Sequence, residues 1–395
     1  MTVTVIRNLF SGPGELAFAN GVIVDPPTND ARALDGTGMV AVPRLTDSHL
    51  HLDKSLLGPR WYSHRPGPSI DARIALEIET LGDPSLDSTF VRASRLLELA
   101  LANGSTRLRS HVDISAELGL SRLEALLAVR EAYGARVDMT FVAFPQSGIL
   151  SSPGTETLLD EALSQGVEAI GGLDPTLRDG DAAAHLDVVF SLAARHGTSI
   201  DIHLHEPDEL GTSTMRDIAA RTRASGLTGR VAISHGYALS MVDDAELKQT
   251  AEALADANVA LITNVPGGGL APPVETLTSL GVNVVFGSDN VRDSWSPYGK
   301  ADMLERVALA GYLFGWNDDA RLLEGLNRVT LAPSVALGDQ PVRLRPGDAA
   351  DFTLVPATSL LAAIVSQPGD RVVYSHGEVV AGTPLLELQT SAATS

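Results

Sequence analysis

The sequence predicts a (β/α)8 barrel with a small β-sandwich domain that the two ends of the chain form together. Apolar strands alternate with amphipathic helices about eight times over some 300 residues, which is typical of such barrels. Both ends of the chain instead contain short strands and turns, and neither end is long enough to bury a core alone. We therefore predict sandwich segments at residues 1–42 and 339–395, and a barrel at residues 43–338.

Short runs of β-branched residues predict the flanking strands near residues 3–8, 21–24, 350–355 and 371–374. Eight apolar runs predict the barrel strands: Met39–Leu45, Ser105–Ser110, Val137–Phe144, Val167–Gly171, Ser199–Leu204, Arg230–Ser234, Val259–Thr263 and Val282–Gly287. Apolar residues at three- and four-residue spacing predict helices between them: Leu118–Tyr133, Thr155–Ser164, Ala182–His196, Met215–Ala224 and Ala245–Ala257.

A doubly wound open sheet is the alternative arrangement for strands that alternate with helices. Many such sheets bind dinucleotides through a Gly-x-Gly-x-x-Gly turn after the first strand. This chain has no such turn there, and Gly267-Gly268-Gly269 occurs far later, shortly before two prolines. The pattern therefore favours the barrel.

The charge of the chain restricts its partners. It carries 29 Lys and Arg against 49 Asp and Glu, a net charge of −20, so its surface repels nucleic acid and anionic membranes. A small neutral or cationic substrate fits this charge better, and assembly into homo-oligomers stays open. Because the chain has no cysteine, disulfides and thiolate metal sites are excluded.

The start of the chain indicates where the protein works. Met1–Gly14 lacks the apolar core of a signal peptide, and no apolar run in the sequence is long enough to span a bilayer. We therefore expect a cytoplasmic protein.

The segment Asp47–Lys54 contains the most informative residues of the chain, His49 and His51. Side chains two residues apart in a strand lie on the same face, so both imidazoles can bind one divalent metal. A chance pair of core histidines is the alternative. Polar residues after other predicted strands favour the metal site, because the reactive groups of (β/α)8 enzymes gather at those strand ends. These residues are His111, Asp113, Gln146, His203, His205, Glu206, His235, Ser288, Asp289 and Asn290.

Three imidazoles and one carboxylate suit a single Zn²⁺ or Fe²⁺, and Mn²⁺ is also compatible. The predicted ligands are His49, His51, His203 and Asp289. Such an ion lowers the pKa of a bound water from about 15.7 to about 7. We expect His235 either to accept a proton from this water or to polarise the substituent on the attacked carbon. Glu206 is expected to carry protons between the water, a ring nitrogen and the leaving group, and Asp289 is expected to act in catalysis by holding the tetrahedral intermediate together with His235.

Several residues near this site allow two interpretations. His111 is either part of the site or a core histidine bonded to Asp113, and His205 either lines the pocket, which we favour, or binds the metal. Lys54 could be the carboxylated lysine of a two-metal site, but such a lysine is expected after the fourth strand, where the chain has Ala-Ile-Gly-Gly. The segment at residues 61–66 is either a lid or an ordinary surface loop.

These motifs resemble the amidohydrolase superfamily, and within it the cytosine deaminase branch, over nearly the whole chain. The segment Val142–Leu150 is similar to the family segment whose glutamine hydrogen-bonds the amide edge of a pyrimidine, a role that falls on Gln146. The other family roles match the strand-five ligand His203, the proton-carrying Glu206, the strand-six histidine His235 and the strand-eight ligand Asp289. The resemblance also implies the flanking sandwich domain.

The strand-eight motif departs from that branch. Cytosine deaminases typically carry His-Asp-Asp there, whereas this chain has Ser288-Asp289-Asn290. In this respect residues 287–295 are nearer to the N-isopropylammelide hydrolases, which remove alkylamines from aminotriazines. Replacing a carboxylate with an amide changes which ring edge the site can hold, and one such change can shift specificity by about 10⁴-fold. The resemblance further implies that Asn290 and Trp295 shape the far side of the ring.

We therefore predict a metal-dependent hydrolase that deaminates a small nitrogen heterocycle, with cytosine-like pyrimidines as the first candidates. Hydroxide on the metal would attack the ring carbon that bears the exocyclic amine. The alternative is removal of an alkylamine from an N-substituted aminotriazine of the ammelide type. A binding protein that has lost catalysis is a further alternative, which the complete set of four metal ligands disfavours.

Overall fold

The computed structural model describes residues 3–10, 14–27, 31–65, 67 and 69–388. The chain begins with a small sheet of order β3-β2-β1-β4, made of β1 (Val3–Arg7), β2 (Leu16–Ala19), β3 (Val22–Val24) and β4 (Ala31–Asp35). The next strand, β5 (Val40–Pro43), leaves this sheet and pairs with a strand from the other end of the chain.

An eight-stranded parallel sheet follows, in which neighbours along the chain are also neighbours in space. Its strands are β6 (Leu45–Leu50), β7 (Ser105–Asp113), β8 (Asp138–Phe144), β9 (Ala169–Leu173), β10 (Ser199–Leu204), β11 (Val231–His235), β12 (Ala260–Thr263) and β13 (Val284–Phe286). Nearly all their residues are buried, as expected for parallel strands covered by helices. The predicted barrel is confirmed.

The barrel closes between its last and first strands. The backbone amide of Asp289 donates to the carbonyl oxygen of His49 at 2.7 Å, and a parallel bridge joins Asp289 to Leu50. Gly287 permits this approach, because a Cβ atom there would lie 2.6–2.7 Å from atoms of His49. The closure therefore places Asp289 beside His49 at the carboxyl ends of the strands.

Helices surround the barrel and cover its ends. They are α1 (Ile70–Leu81), α2 (Thr89–Ala102), α3 (Ser121–Tyr133), α4 (Thr155–Ser164), α5 (Pro175–Asp179), α6 (Ala182–His196), α7 (Asp208–Ala224), α8 (Asp244–Asp256), α9 (Val274–Ser279), α10 (Met303–Phe314), α11 (Asp319–Asn327), α12 (Ala332–Leu337) and α13 (Leu360–Ser366). α4 and α6 have the predicted bounds, whereas α7 begins before the predicted Met215, because polar residues such as Asp208 form its first turn. Among the described residues, no helix is long and apolar enough to cross a membrane.

The two ends of the chain share one core, as predicted. β14 (Phe352–Val355), β15 (Val372–Ser375) and β16 (Glu378–Ala381) form a sheet with β5, in the order β16-β15-β14-β5. The ring of Phe18 from the first sheet packs against Phe352 and Tyr374 from this one, with centroids 5.7 and 5.6 Å apart. The small sheets are thus confirmed, while the boundaries after residues 42 and 338 stay predictions.

One predicted element is wrong at its boundaries. The run Met39–Leu45 was expected to be the first barrel strand, but β5 ends at Pro43 and the barrel starts with β6 at Leu45. Proline has no amide hydrogen, so it ends the ladder that β5 makes with β14. The apolar pattern of this run does not show that its first part joins the small sheet and its last residue joins the barrel.

Candidate active site

The four predicted metal ligands meet at the carboxyl end of the barrel. Oδ1 of Asp289 lies 3.5 Å from Nε2 of His49 and 3.3 Å from Nε2 of His51. Nε2 of His51 is in turn 3.5 Å from Nε2 of His203. Ligand atoms held about 2.0–2.2 Å from one ion in a tetrahedron are separated by about 3.3–3.6 Å. These three separations match that spacing, so the cluster is suited to binding a divalent metal, and the single ion stays a prediction.

Buried imidazole nitrogens support the same conclusion. Within the described part of the chain, Nε2 of His49 and Nε2 of His235 have no hydrogen-bond partner, although both are buried. Leaving such a group unpaired costs free energy that a bound ion would offset. Two sets of ligand atoms lie within 4.8 Å of one another: His49, His111 and His203 in one, and His49, His235 and Asp289 in the other.

A chain of hydrogen bonds orients His49. Its Nδ1 lies 2.8 Å from Oγ of Ser234, and the Ser234 hydroxyl donates to Oδ1 of Asp201 at 2.7 Å. Arg109 donates to the other oxygen of Asp201 at 3.2 Å. Such contacts fix the ring with its Nε2 directed at the ligand cluster. The sequence analysis did not identify Ser234, Asp201 or Arg109, because no spacing pattern marks them.

His111 belongs to the cluster rather than to a separate core contact. Its ring packs on His49 with centroids 4.0 Å apart, and its Nε2 is 3.7 Å from Oδ2 of Asp201. Asp113 instead accepts a hydrogen bond from Arg122 at 3.1 Å. The interpretation of His111 as a histidine bonded to Asp113 is therefore wrong. Burial, followed by the neighbouring imidazoles, holds the pKa of His111 well below its usual value.

Two site residues have backbone conformations that L-residues rarely adopt. His235 has φ 76° and Asp289 has φ 59°, both in the left-handed region. Such conformations cost about 1–3 kcal/mol each and cluster at functional sites. Both residues stand where a barrel strand ends, so the turn there changes the direction in which the following chain leaves the barrel.

A cavity of about 980 Å³ opens above the cluster. All four predicted substrate-binding residues line it: Gln146, His205, Asn290 and Trp295. So do His235 and Lys54. Glu206 is not among its lining residues in the described part of the chain.

Buried hydrogen bonds hold the side chain of Glu206, the predicted proton carrier. Its side chain is fully buried, and Oε1 accepts hydrogen bonds from the amides of Thr176 at 2.6 Å and Leu177 at 3.0 Å. Oε2 accepts a hydrogen bond from the hydroxyl of Thr214 at 2.7 Å. A carboxylate at the free amides of α5 is electrostatically favourable. The side chain therefore joins α5 and α7 to the end of β10, and its catalytic role stays a prediction.

His205, the residue before Glu206, lines the cavity. Its Nδ1 is 3.0 Å from Oδ2 of Asp174, and its ring stacks on His235 with centroids 4.3 Å apart. Burial lowers the pKa of His205, but the Asp174 carboxylate outweighs it and the net shift is upward. Burial and then the His205 imidazole hold the pKa of His235 well below its usual value. Two neighbouring groups with oppositely shifted pKa values are suited to acid and base roles.

Glu77 connects three residues of the cavity wall. Its Oε2 lies 3.3 Å from Nζ of Lys54, accepts from Nε2 of Gln146 at 3.2 Å and accepts the indole N–H of Trp295. Burial raises the pKa of Glu77, but the charges of Lys54 and Arg122 lower it to about 2. Lys54 also contacts the side-chain oxygen of Gln146. A carboxylated Lys54 would place a second negative charge beside Glu77, so the two-metal interpretation is disfavoured.

The sequence analysis missed Glu77, although a signal for it exists. Ile70, Ile74, Glu77 and Leu81 follow the spacing of one helix face, and Glu77 is the charged residue on that apolar face. A carboxylate in such a position needs a buried partner.

A second carboxylate holds Asn290. Nδ2 of Asn290 donates to Oδ2 of Asp293 at 2.6 Å, and Oδ1 of Asp293 accepts the amide of Trp295 at 2.8 Å. Burial raises the pKa of Asp293 to about 7 despite these hydrogen bonds. His64, from the segment predicted as lid or loop, lies 2.6 Å from the Asp293 carbonyl oxygen, whereas Trp61 is 68% exposed. Pro66 lies outside the described residues, and the lid stays a prediction.

Known proteins are similar to this chain in sequence and fold. Residues 32–381 match the model of the Amidohydrolase family. The uncharacterized protein YahJ of Escherichia coli (strain K12) is 34% identical over 355 residues, which is 88% of this chain and 76% of YahJ. The crystal structure of N-isopropylammelide isopropylaminohydrolase from Burkholderia multivorans ATCC 17616 is 36% identical, with a TM-score of 0.90 over 96% of this chain and 98% of that one.

A further solved structure supports the fold alone. It is 5-methylcytosine deaminase from Klebsiella pneumoniae, liganded with 5-fluorocytosine, at 24% identity and a TM-score of 0.84 over 99% of this chain and 100% of that chain. The predicted superfamily is confirmed by the family match, and the histidine cluster supplies the metal site that its enzymes would need. This chain therefore belongs to the amidohydrolase family and is a metal-dependent hydrolase of that family.

Proposed function

We propose that this protein hydrolyses the C–N bond between an alkylamine and an aminotriazine ring of the ammelide type. The observation that carries the proposal is the likeness to N-isopropylammelide isopropylaminohydrolase, at 36% identity over 96% of the chain. The likeness to 5-methylcytosine deaminase, at 24%, supports only the shared fold. The alternative substrate class from the sequence analysis is therefore preferred to cytosine-like pyrimidines.

Asn290 supports this choice of ring. Its Nδ2 donates to Asp293 at 2.6 Å, which leaves its neutral carbonyl oxygen as an acceptor for a ring N–H. A carboxylate at this position would instead favour a positively charged or strongly donating ring edge. Lys54 and Gln146, which also line the cavity, are held together by Glu77 and offer an ammonium and an amide to the ring oxygens.

The site residues divide the proton transfers between them. When bound by the predicted ligands, a divalent ion lowers the pKa of a coordinated water to about 7. His235 accepts the proton that the attacking water loses, and His205, supported by Asp174, donates a proton to the departing nitrogen. A C–O bond forms at the ring carbon, the C–N bond breaks, and the products are the alkylamine and a ring carbonyl.

A substrate comparison tests the proposal. Purified protein of measured metal content would be incubated with N-isopropylammelide, cytosine and 5-methylcytosine, and released isopropylamine and ammonia would be quantified. We expect kcat/KM for amine release to exceed that for ammonia release by at least ~10²-fold, since the site rejects rings whose polar edge it cannot pair. Faster ammonia release from either pyrimidine would refute the proposal, and His203→Ala serves as the metal-free control.

A further inference from the structure

The cavity is larger than the proposed substrate requires. Its volume of about 980 Å³ lies at the upper end of the range of about 300–1,000 Å³ that encloses most of a drug-sized ligand. A six-membered ring with a three-carbon isopropyl group is much smaller than such a ligand. Most of the cavity therefore lies beyond the reach of that substrate.

The outer part of the cavity has a helical wall. Arg306, Leu309 and Leu313 share one face of α10 and all line the cavity. The helix rises about 10 Å from Arg306 to Leu313, at 1.5 Å per residue. At the inner end, Arg306 donates to the carbonyl oxygen of Ser288 at 3.2 Å, directly before the predicted ligand Asp289. The wall thus starts beside the metal site and runs outward.

This wall exposes apolar surface to the cavity. Leu309 is 45% exposed and Leu313 is 43% exposed. Other apolar or aromatic residues of the outer cavity are Val265, Leu270, Tyr298 and Tyr312. An exposed apolar patch that continues into a polar site commonly marks a ligand-binding groove.

The charged groups of the same region are already paired. The Arg73 guanidinium donates to the carbonyl oxygen of Trp295 at 2.8 Å and lies over its ring at 4.8 Å. Glu305 forms an ion pair with Lys300 at 3.6 Å. A charged extension of the substrate that paired with these groups would therefore have to displace existing partners, whereas an apolar extension would not.

We propose that the α10 wall binds an apolar substituent longer than isopropyl on the amine that the enzyme releases. This inference rests on the proposed function and names its substrate more closely: an aminotriazine with an N-alkyl or N-arylalkyl chain. The occupant is part of the substrate because the wall and the metal site belong to one continuous cavity.

A homologous series of N-alkylammelides tests the wall. Complete burial of a methylene contributes about 0.8 kcal/mol, or about fourfold in binding. Because one side of the wall faces solvent, we expect kcat/KM to rise about twofold per methylene from N-ethyl to N-hexyl. Inhibition by the corresponding alkylamines should follow the same trend, which gives a binding measurement that does not depend on turnover.

Leu309→Ser and Leu313→Ser should flatten this chain-length dependence, because they should lower kcat/KM much more for the N-hexyl substrate than for the N-ethyl substrate. The matched control is Leu323→Ser, because Leu323 is 42% exposed on the neighbouring α11 and does not line the cavity in the described part of the chain. Leu323→Ser should retain the full chain-length dependence of the unmodified protein.

Failure of the inference and failure of the proposed function give different results. Hydrolysis of short N-alkyl substrates with a flat or falling dependence on chain length would overturn the inference and leave the function intact. No amine release from any member of the series would overturn the function itself. If Leu309→Ser and Leu313→Ser dissociate an oligomer in sedimentation without changing the chain-length dependence, the wall is a subunit interface and the inference is wrong.

Discussion

Asp174 holds His205 through two contacts: Oδ1 accepts the His205 backbone amide at 2.5 Å, and Oδ2 lies 3.0 Å from its Nδ1. This arrangement fixes the ring and leaves Nε2 as the free nitrogen. The carboxylate also stabilises the protonated imidazole, consistent with the raised pKa of His205. In the proposed mechanism, this pair is the proton donor on the cavity wall.

We predict that His205→Asn lowers kcat at least ~10²-fold while metal content and melting temperature stay unchanged, because the proton donor is lost. Glu206→Gln should keep kcat within about threefold, because the glutamine oxygen can still accept the α5 amides and only part of the charge–dipole energy is lost. Steady-state amine release and elemental analysis of both variants provide the measurement. A larger kcat loss in Glu206→Gln, with intact stability, would return the proton-carrying role to Glu206.

Metal removal should abolish amine release. The ligand atoms of His49, His51, His203 and Asp289 are spaced for one ion, so one equivalent of metal per chain should restore full activity. His203→Ala should bind less than about a tenth of an equivalent, since loss of one of four ligands opens the site. Titration of chelated protein with Zn²⁺, Fe²⁺ and Mn²⁺ measures the stoichiometry. A requirement for two equivalents would contradict the single-ion site.

Asn290→Asp should lower the rate of amine release at least ~10-fold, because it places a second carboxylate where Asn290 now donates to Asp293 at 2.6 Å. The double variant Asn290→Asp, Asp293→Asn should recover much of this loss, since one amide and one carboxylate are again paired. Kinetics of the two single variants and the double variant provide a complete cycle. Equal rates of amine release in Asn290→Asp and the double variant would show that repulsion from Asp293 does not cause the loss of activity.

Glu77→Gln should destabilise the protein in a pH-dependent manner. The folded-state pKa of about 2 lies below the ordinary value of 4.5, so Glu77 contributes stability above the unfolded pKa and loses it as pH falls toward 2. The shift corresponds to about 3 kcal/mol, and the variant also removes a charge partner of buried Lys54. The difference in unfolding free energy between the unmodified protein and Glu77→Gln should therefore be larger at pH 7 than at pH 3.

The control for this experiment is Glu79→Gln. Glu79 lies on the same helix, and its side chain is 66% exposed beside Arg65. A surface pair of this kind contributes at most about 1 kcal/mol. If Glu77→Gln and Glu79→Gln behaved alike, or if the Glu77→Gln loss did not vary with pH, the proposed coupling between Glu77 and Lys54 would be wrong.

The sequence by itself determined the barrel and most of the ligand cluster. His49 and His51 are two residues apart at the end of one strand, and His203, His235 and Asp289 follow other strands whose carboxyl ends must meet in a parallel barrel. These inferences need only the period of a strand, which is a local property, and the alternation of strands and helices, which makes consecutive strands run parallel. Asn290 was identified for the same reason, as the neighbour of a strand-end ligand.

Only the tertiary structure decided which carboxylates reach the cavity. Glu206 directly follows His205, yet its carboxylate turns to the amides of Thr176 and Leu177 in α5, the helix that follows another strand. Glu77 reaches Lys54 because both lie beside the cavity, to whose lining α1 contributes Ile70 and Ile74. The physical reason is that a buried carboxylate lies where its donors are, and those donors come from segments far apart in the chain.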